Sequence, residues 1–250
     1  MISDLLLLSG NDIPFEEAQL NIHHPRIKEI AYLGEENFFA GYQMLNFSKN
    51  LLTEEDKVNL EELADFDILI AILKERNAVM QKNRNCVMML LALLFPCYTI
   101  DLGKDCIKLT KEDNDKDIHY INKDNFEAFK KIIRAMFTFG EKDENTDFNP
   151  DGAMASRIAD KLKKRHQKLA EVKGNENQKV DIISRYVSIL AIGTKIDLNT
   201  ILDYTVYQLF DQIKRYELKT SYEIYIEAKM AGAKDIKDPE DWMKDIHSNS

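Results

Sequence analysis

The sequence predicts a mainly α protein of the α+β class, a helical chain carrying one small three-stranded antiparallel meander near 98–121. Three observations lead there. Apolar residues recur at helical spacing over most of the 250 positions. Nine glycines and five prolines are too few for a turn-dense all-β chain. Only the stretch 98–121 changes to strict apolar–polar alternation, the period of strands with one buried face. With 44% hydrophobic residues, a chain of this length can bury a sizeable core.

The elements follow in order. Leu5–Leu8 and Ala18–Ile22 read as two short strands, separated by the turn residues Gly10, Asn11 and Asp12. Pro25 suits the first turn of a helix carrying Ile27, Ile30, Ala31 and Leu33. A second helix covers Glu35–Phe47 through Phe38, Phe39, Tyr42, Met44 and Leu45. Thr53, followed by Glu54, Glu55 and Asp56, is a helix start with acids in the first turn. Asp67–Lys74 and Met80–Phe95 complete the first part. The run Cys86–Phe95 is half the length a membrane-spanning helix needs and reads as a central core helix that Pro96 ends.

Tyr98–Leu102, Cys106–Thr110 and Ile118–Ile121 are the three meander strands, with Gly103-Lys104 and the charged cluster 111–117 between them. Helical spacing returns over Asn125–Phe139. Gly140–Asn149, polar and without a branched aliphatic, is the boundary between a helical N-terminal region with the meander (1–140) and a helical C-terminal region (149–250). The same reading lets the two join as one continuous domain. Asn149, Pro150 and Asp151 open a helix that runs to about Lys173 before Gly174. Ile182–Ile192, Leu198–Tyr216 and Ser221–Ala231 follow as three further helices.

Several function classes lack their signatures. No phosphate-binding glycine loop, dinucleotide fingerprint, nucleophile elbow or His-Glu-x-x-His zinc motif is present, so the expectation is a protein without catalysis or cofactor. Three cysteines, an odd number without close spacing, give neither a disulfide framework nor a zinc module and suit a reducing cytoplasm. Cys86 reads as a small core hydrophobe. The N-terminus lacks the basic start and cleavage pattern of a secretory signal. His23 and His24 diverge as neighbours and read as turn or surface residues, not as metal ligands. Asp147, Asn149, Asp151 and Gly152 match the first half of a calcium loop, but Ile158 stands where the bidentate Glu belongs. They stay a weak calcium candidate, and no metal site is assigned. Asp113, Asp115 and Asp117 also alternate, with Ile118 at the glycine position, and read as a solvated hairpin turn.

Charge is unevenly placed. The chain carries net −9, which disfavours a phosphate backbone as partner. Residues 151–200 nevertheless hold 10 basic and 6 acidic side chains. Arg157, Lys161, Lys164, Arg165 and Lys168 fall on one broad face of one predicted helix. Without interleaved aromatics this face points away from nucleic acid. It serves either as a solvated surface facing the acidic half or as a dock for an acidic protein. Tyr207, Phe210 and Trp242 join it as partner-binding candidates in a tyrosine-rich C-terminal region. Core packing accounts for most of those aromatics. Self-association is the second use, because Ala228, Met230, Ala231 and Ala233 offer a close-packing face.

Two stretches carry a resemblance. Ile22-His-His-Pro-Arg-Ile-Lys-Glu-Ile-Ala-Tyr-Leu-Gly-Glu-Glu-Asn-Phe-Phe resembles a P-x-I-K-E-I-x-x-I-G-E-E-x-F segment of proteins from the tail modules of tailed phages and prophages. Tyr204–Gln212, Tyr225–Lys234 and Asp241–His247 look like the end of the same proteins, so the likeness spans Ile13–His247. The resemblance implies a tail assembly protein of the chaperone class, which keeps the tape measure or another tail protein, such as the tail tube, soluble during assembly. It would act in the host bacterial cytoplasm and have no membrane partner. The alternatives are a structural baseplate or tail-tip component of the virion, and a calcium-regulated binding module.

Overall fold

The computed structural model describes residues 2–46, 64–74, 78–137, 181–232, 238, 239, 241 and 243. It opens with a helix where a strand is expected. α1 (Asp4–Ser9) is bracketed by Ser3, whose hydroxyl accepts the Leu6 N–H, and by Gly10 at φ 66°. Those are start and stop signals of a helix, and they override the extended reading of Leu5–Leu8. Gly10 is also needed sterically. A Cβ there would meet the Arg26 guanidinium at 3.0 Å and the Gln208 amide at 3.1 Å.

The first hairpin is β1 (Ile13–Phe15) with β2 (Leu20–Ile22), antiparallel, in the register Ile13↔Ile22 and Phe15↔Leu20. Ala18 lies in the 3-10 turn Glu16–Ala18 that connects them, so the strand expected from Ala18 begins two residues later. α2 (Ile27–Leu33) starts after Arg26, which places Pro25 just outside the helix. α3 (Glu35–Leu45), α4 (Asp65–Lys74) and α5 (Ala78–Leu94) follow, the last two close to expectation. The Thr53 helix start lies outside the described residues.

The meander is present as predicted: β3 (Tyr98–Leu102), β4 (Cys106–Lys111) and β5 (Asn114–Asn122) in that order. Ile107, Leu109 and Ile121 bury one face, as the alternation requires. β5 begins four residues early, because the charged cluster pairs into the sheet, with a register shift between Thr110 and Lys111. α6 (Phe126–Met136) presents Phe126, Phe129, Ile132, Ile133 and Met136 to the core.

The C-terminal helices are α7 (Ile182–Thr194), α8 (Leu198–Leu202) and α9 (Val206–Met230). The expected helix Leu198–Tyr216 is broken at 203–205. Thr205 starts a new helix by a capping box: the Gln208 side chain accepts the Thr205 N–H at 2.8 Å, and the Thr205 hydroxyl accepts the Gln208 N–H. From there α9 runs on through Thr220 and Ser221, joining the two helices read separately. Tyr186 packs on Phe210 at 5.1 Å and Gly193 lies against Tyr216, so α7 and α9 run side by side in the same direction.

One hydrophobic core takes residues from both ends of the chain, from Leu7 and Phe15 to Leu209 and Ile213. Its centre is aromatic. Phe129 meets Phe15 at 5.8 Å and Phe95 at 6.0 Å, and Phe38 meets Phe137 edge-on at 5.0 Å. The described residues of 1–139 and 183–250 belong to one compact unit. The chain is thus mainly helical with two small antiparallel sheets. No helix of the described residues is long and apolar enough to cross a membrane.

Candidate interaction surface

The C-terminal helices are fastened to the N-terminal elements by a row of specific polar contacts. Arg26 and Thr205 form an isolated antiparallel bridge. The Ile27 N–H donates to the Tyr204 carbonyl at 2.8 Å, and the Arg26 guanidinium donates to the Asp203 carbonyl at 2.9 Å. Lys28 pairs with Asp203 at 2.6 Å, and that contact lowers the Asp203 pKa and raises that of Lys28. Further along, Gln208 donates to the Leu8 carbonyl at 2.7 Å, and Tyr207 donates from its hydroxyl to Asp4 at 3.2 Å. At the other end the Glu35 carboxylate accepts the Ile183 N–H at 2.7 Å.

Beside this join sits an imidazole with a carboxylate at each nitrogen. His23 Nδ1 lies 3.0 Å from Asp12 and Nε2 lies 3.1 Å from Glu29. Glu29 also accepts the Arg26 N–H, closing the first turn of α2. The cluster is fully used in holding the turn together. Among the described residues no group of three His, Cys, Asp or Glu side chains is arranged to hold a metal ion. His24, expected in a turn or on the surface, is wholly buried, and neither ring nitrogen has a hydrogen-bond partner. Burial, and then the charge of Arg26, lower its pKa from 6.5 to about 4.

The sequence-predicted partner residues separate. Tyr207 is buried and Phe210 half-buried, and both rings are used within the chain, against Asp4 and Tyr186. Arg157, Lys161, Lys164, Arg165, Lys168 and Trp242 lie outside the described residues, as do the calcium candidates Asp147, Asn149 and Asp151. Cys86 is buried as expected, its thiol donating weakly to Asn37 at 3.6 Å.

The distal part of α9 belongs to the stretch that the sequence offers for self-association through Ala228, Met230, Ala231 and Ala233. No residue of that helix after Leu218 is buried. Ile224 is 61% and Met230 84% exposed, with Tyr222 and Ile226 exposed beside them. Tyr225 is half-buried, and its hydroxyl donates to Asp238, which raises its pKa. A signal was available. Tyr222 and Ile226 lie on the side of the helix away from Ile213, at ~180° and ~140° around the axis, so they fall outside its core stripe. Ile192, at the end of α7, is exposed as well.

Residues 175–247, which include all of α7, α8 and α9, match a family model described as the YomV second domain. The match covers less than a third of the chain. The name comes from a Bacillus phage and prophage region, so the C-terminal segment is similar to a phage-associated domain family. No curated protein and no solved structure matches the chain. In this fold the matched helices share one hydrophobic core with residues of the first 137 positions.

Proposed function

We propose that this is a non-enzymatic phage tail assembly protein, a chaperone that holds the tape measure or another tail protein until it is incorporated. The observation that carries the reading is the phage-associated match over 175–247. The tail-module resemblance of 22–39 supports it from a separate part of the chain, and that of the C-terminal segments falls within the matched residues. Physical chemistry is compatible with the role. A helical client with long apolar stripes self-associates unless covered, and a strongly acidic protein keeps such a complex in solution. The site of action is the host bacterial cytoplasm during assembly.

Quantitative mass spectrometry of purified virions beside lysate of producing cells tests the proposal. A chaperone is present in lysate and missing from particles. A fixed copy number per particle would make the protein a permanent tail component instead. A second test addresses the basic face. Reversing Lys161, Lys164 and Lys168 to Glu should weaken capture of the tape measure protein in a pull-down while leaving the melting temperature unchanged. Unchanged capture would remove that face from the mechanism.

A further inference from the structure

We propose that His24 is an acid-sensitive latch, whose protonation releases the segment Arg26–Lys28 from Asp203–Thr205 and opens the join between α2 and the α8–α9 corner. This inference does not rest on the assembly role. It begins from an unusual placement: an imidazole with no exposed surface and no partner at either nitrogen. A neutral ring tolerates that site as a mostly apolar body, but an imidazolium has two N–H donors that would go unsatisfied there.

The charged and titratable groups facing His24 make the site still less hospitable to a proton. On its own segment these are Arg26 and His23, both opposing a positive charge. Asp12, from the turn before β1, favours the proton, and it already accepts from His23 Nδ1 and from the His24 N–H at 3.4 Å. From α6 the Met136 backbone also favours the proton, more than Asp12 does, although no hydrogen bond to either ring nitrogen is formed. Protonation therefore favours any conformation in which the ring reaches water.

The route out determines what opens. The His23 N–H is held by the Leu94 carbonyl at 2.9 Å, which anchors the segment on its N-terminal side. On the C-terminal side Arg26, two residues from His24, carries the bridge to Thr205 and the bond to Asp203, and Ile27 carries the bond to Tyr204. Repulsion between His24 and Arg26 acts directly on those contacts. Of these, the Arg26–Asp203 bond lies at the surface while Ile27 and Thr205 are buried, and the aromatic centre around Phe129 is not touched. Local opening needs less disruption than global unfolding and so precedes it.

Amide hydrogen exchange on the full chain, corrected for intrinsic rates, tests the latch near pH 7 and about pH 4.5. The Ile27 amide should lose protection roughly tenfold to a hundredfold on acidification, the range set by linkage between a buried and a solvated imidazole. Amides in α5 such as Leu90 should hold theirs. His24→Gln should keep Ile27 protected at the lower pH, and His24→Leu serves if the Gln variant does not fold. Equal loss at Ile27 and in α5, no loss at Ile27, or loss persisting in a folded variant would each overturn the proposal. So would an imidazole signal for His24 in the wild type that titrates at the ordinary position in the folded state.

Discussion

The carboxylate of Glu35 caps a helix 148 residues away in sequence: it accepts the backbone N–H of Ile183 at 2.7 Å, in the first turn of α7. The Ser184 N–H approaches the same carboxylate at 3.4 Å. Glu35 also stands in the first turn of its own helix, α3. One negative charge thus complements the N-termini of two helices. It also ties the start of the C-terminal helices to the N-terminal core.

Loss of that cap has a definite size. Glu35→Ala should destabilise the fold by about 1 kcal/mol, as N-cap removals do, and lower the melting temperature by about 2–4 °C. Glu35→Gln keeps an acceptor and loses only the charge, so its effect should be the smaller of the two. Thermal unfolding followed by circular dichroism measures both. Equal melting temperatures for wild type and Glu35→Ala would show that α7 is held by packing alone.

Gly41 in α3 gives a prediction in which two effects oppose each other. A Cβ at this position would lie 2.7 Å from the Cys86 carbonyl oxygen and 3.1 Å from Leu90 Cβ, because α3 and α5 cross there with almost no gap. Helix propensity alone favours Gly41→Ala by about 1 kcal/mol. The contact is with backbone, which cannot rotate away, so overpacking of about 1–3 kcal/mol should outweigh it. Urea denaturation should show Gly41→Ala less stable than wild type by roughly one unit of kcal/mol. A stabilised variant would mean that the helices can slide apart at little cost.

What the sequence disclosed and what it hid divide along physical lines. The meander was legible because alternation reports one buried face, and Ile107, Leu109 and Ile121 do face the core. α1 was not, because four consecutive leucines carry no period; the cap Ser3 and Gly10, which reads equally as a turn residue, decide the matter. The break at 203–205 was masked by apolar residues that continue on both sides, although Thr205 and Gln208 spell a capping box. Glu35 and His24 are a different case. Their roles arise from partners far along the chain, and no local pattern encodes a cap for Ile183 or a burial site against Met136.

Lys130 is buried to 2% exposure, its ammonium 2.9 Å from Asp65, 2.6 Å from Glu127 and 5.2 Å from the centre of the Phe126 ring. Asp65 is the partner that joins two elements, α4 and α6. Removing it by Asp65→Ala should cost about 3 kcal/mol, because a buried cation is left with the exposed Glu127 and the face of Phe126. Replacing both members together, Lys130→Met with Asp65→Leu, should recover most of that loss. A double-mutant cycle in urea measures the coupling. Additive losses would show that the two charges are solvated independently.

The buried His24 sets the acid side of the stability profile. Its pKa in the fold is about 4, below the ordinary 6.5, so the unfolded chain binds its proton first as pH falls. Stability from this group is complete above pH 6.5, declines through the window down to about pH 4, and is constant below it. The total over that window is on the order of 3 kcal/mol. His24→Leu removes the group from both states and should flatten the profile between those limits. The check is the urea midpoint of both proteins at several pH values across the window. A variant whose profile keeps the wild-type slope would assign the acid sensitivity to other groups.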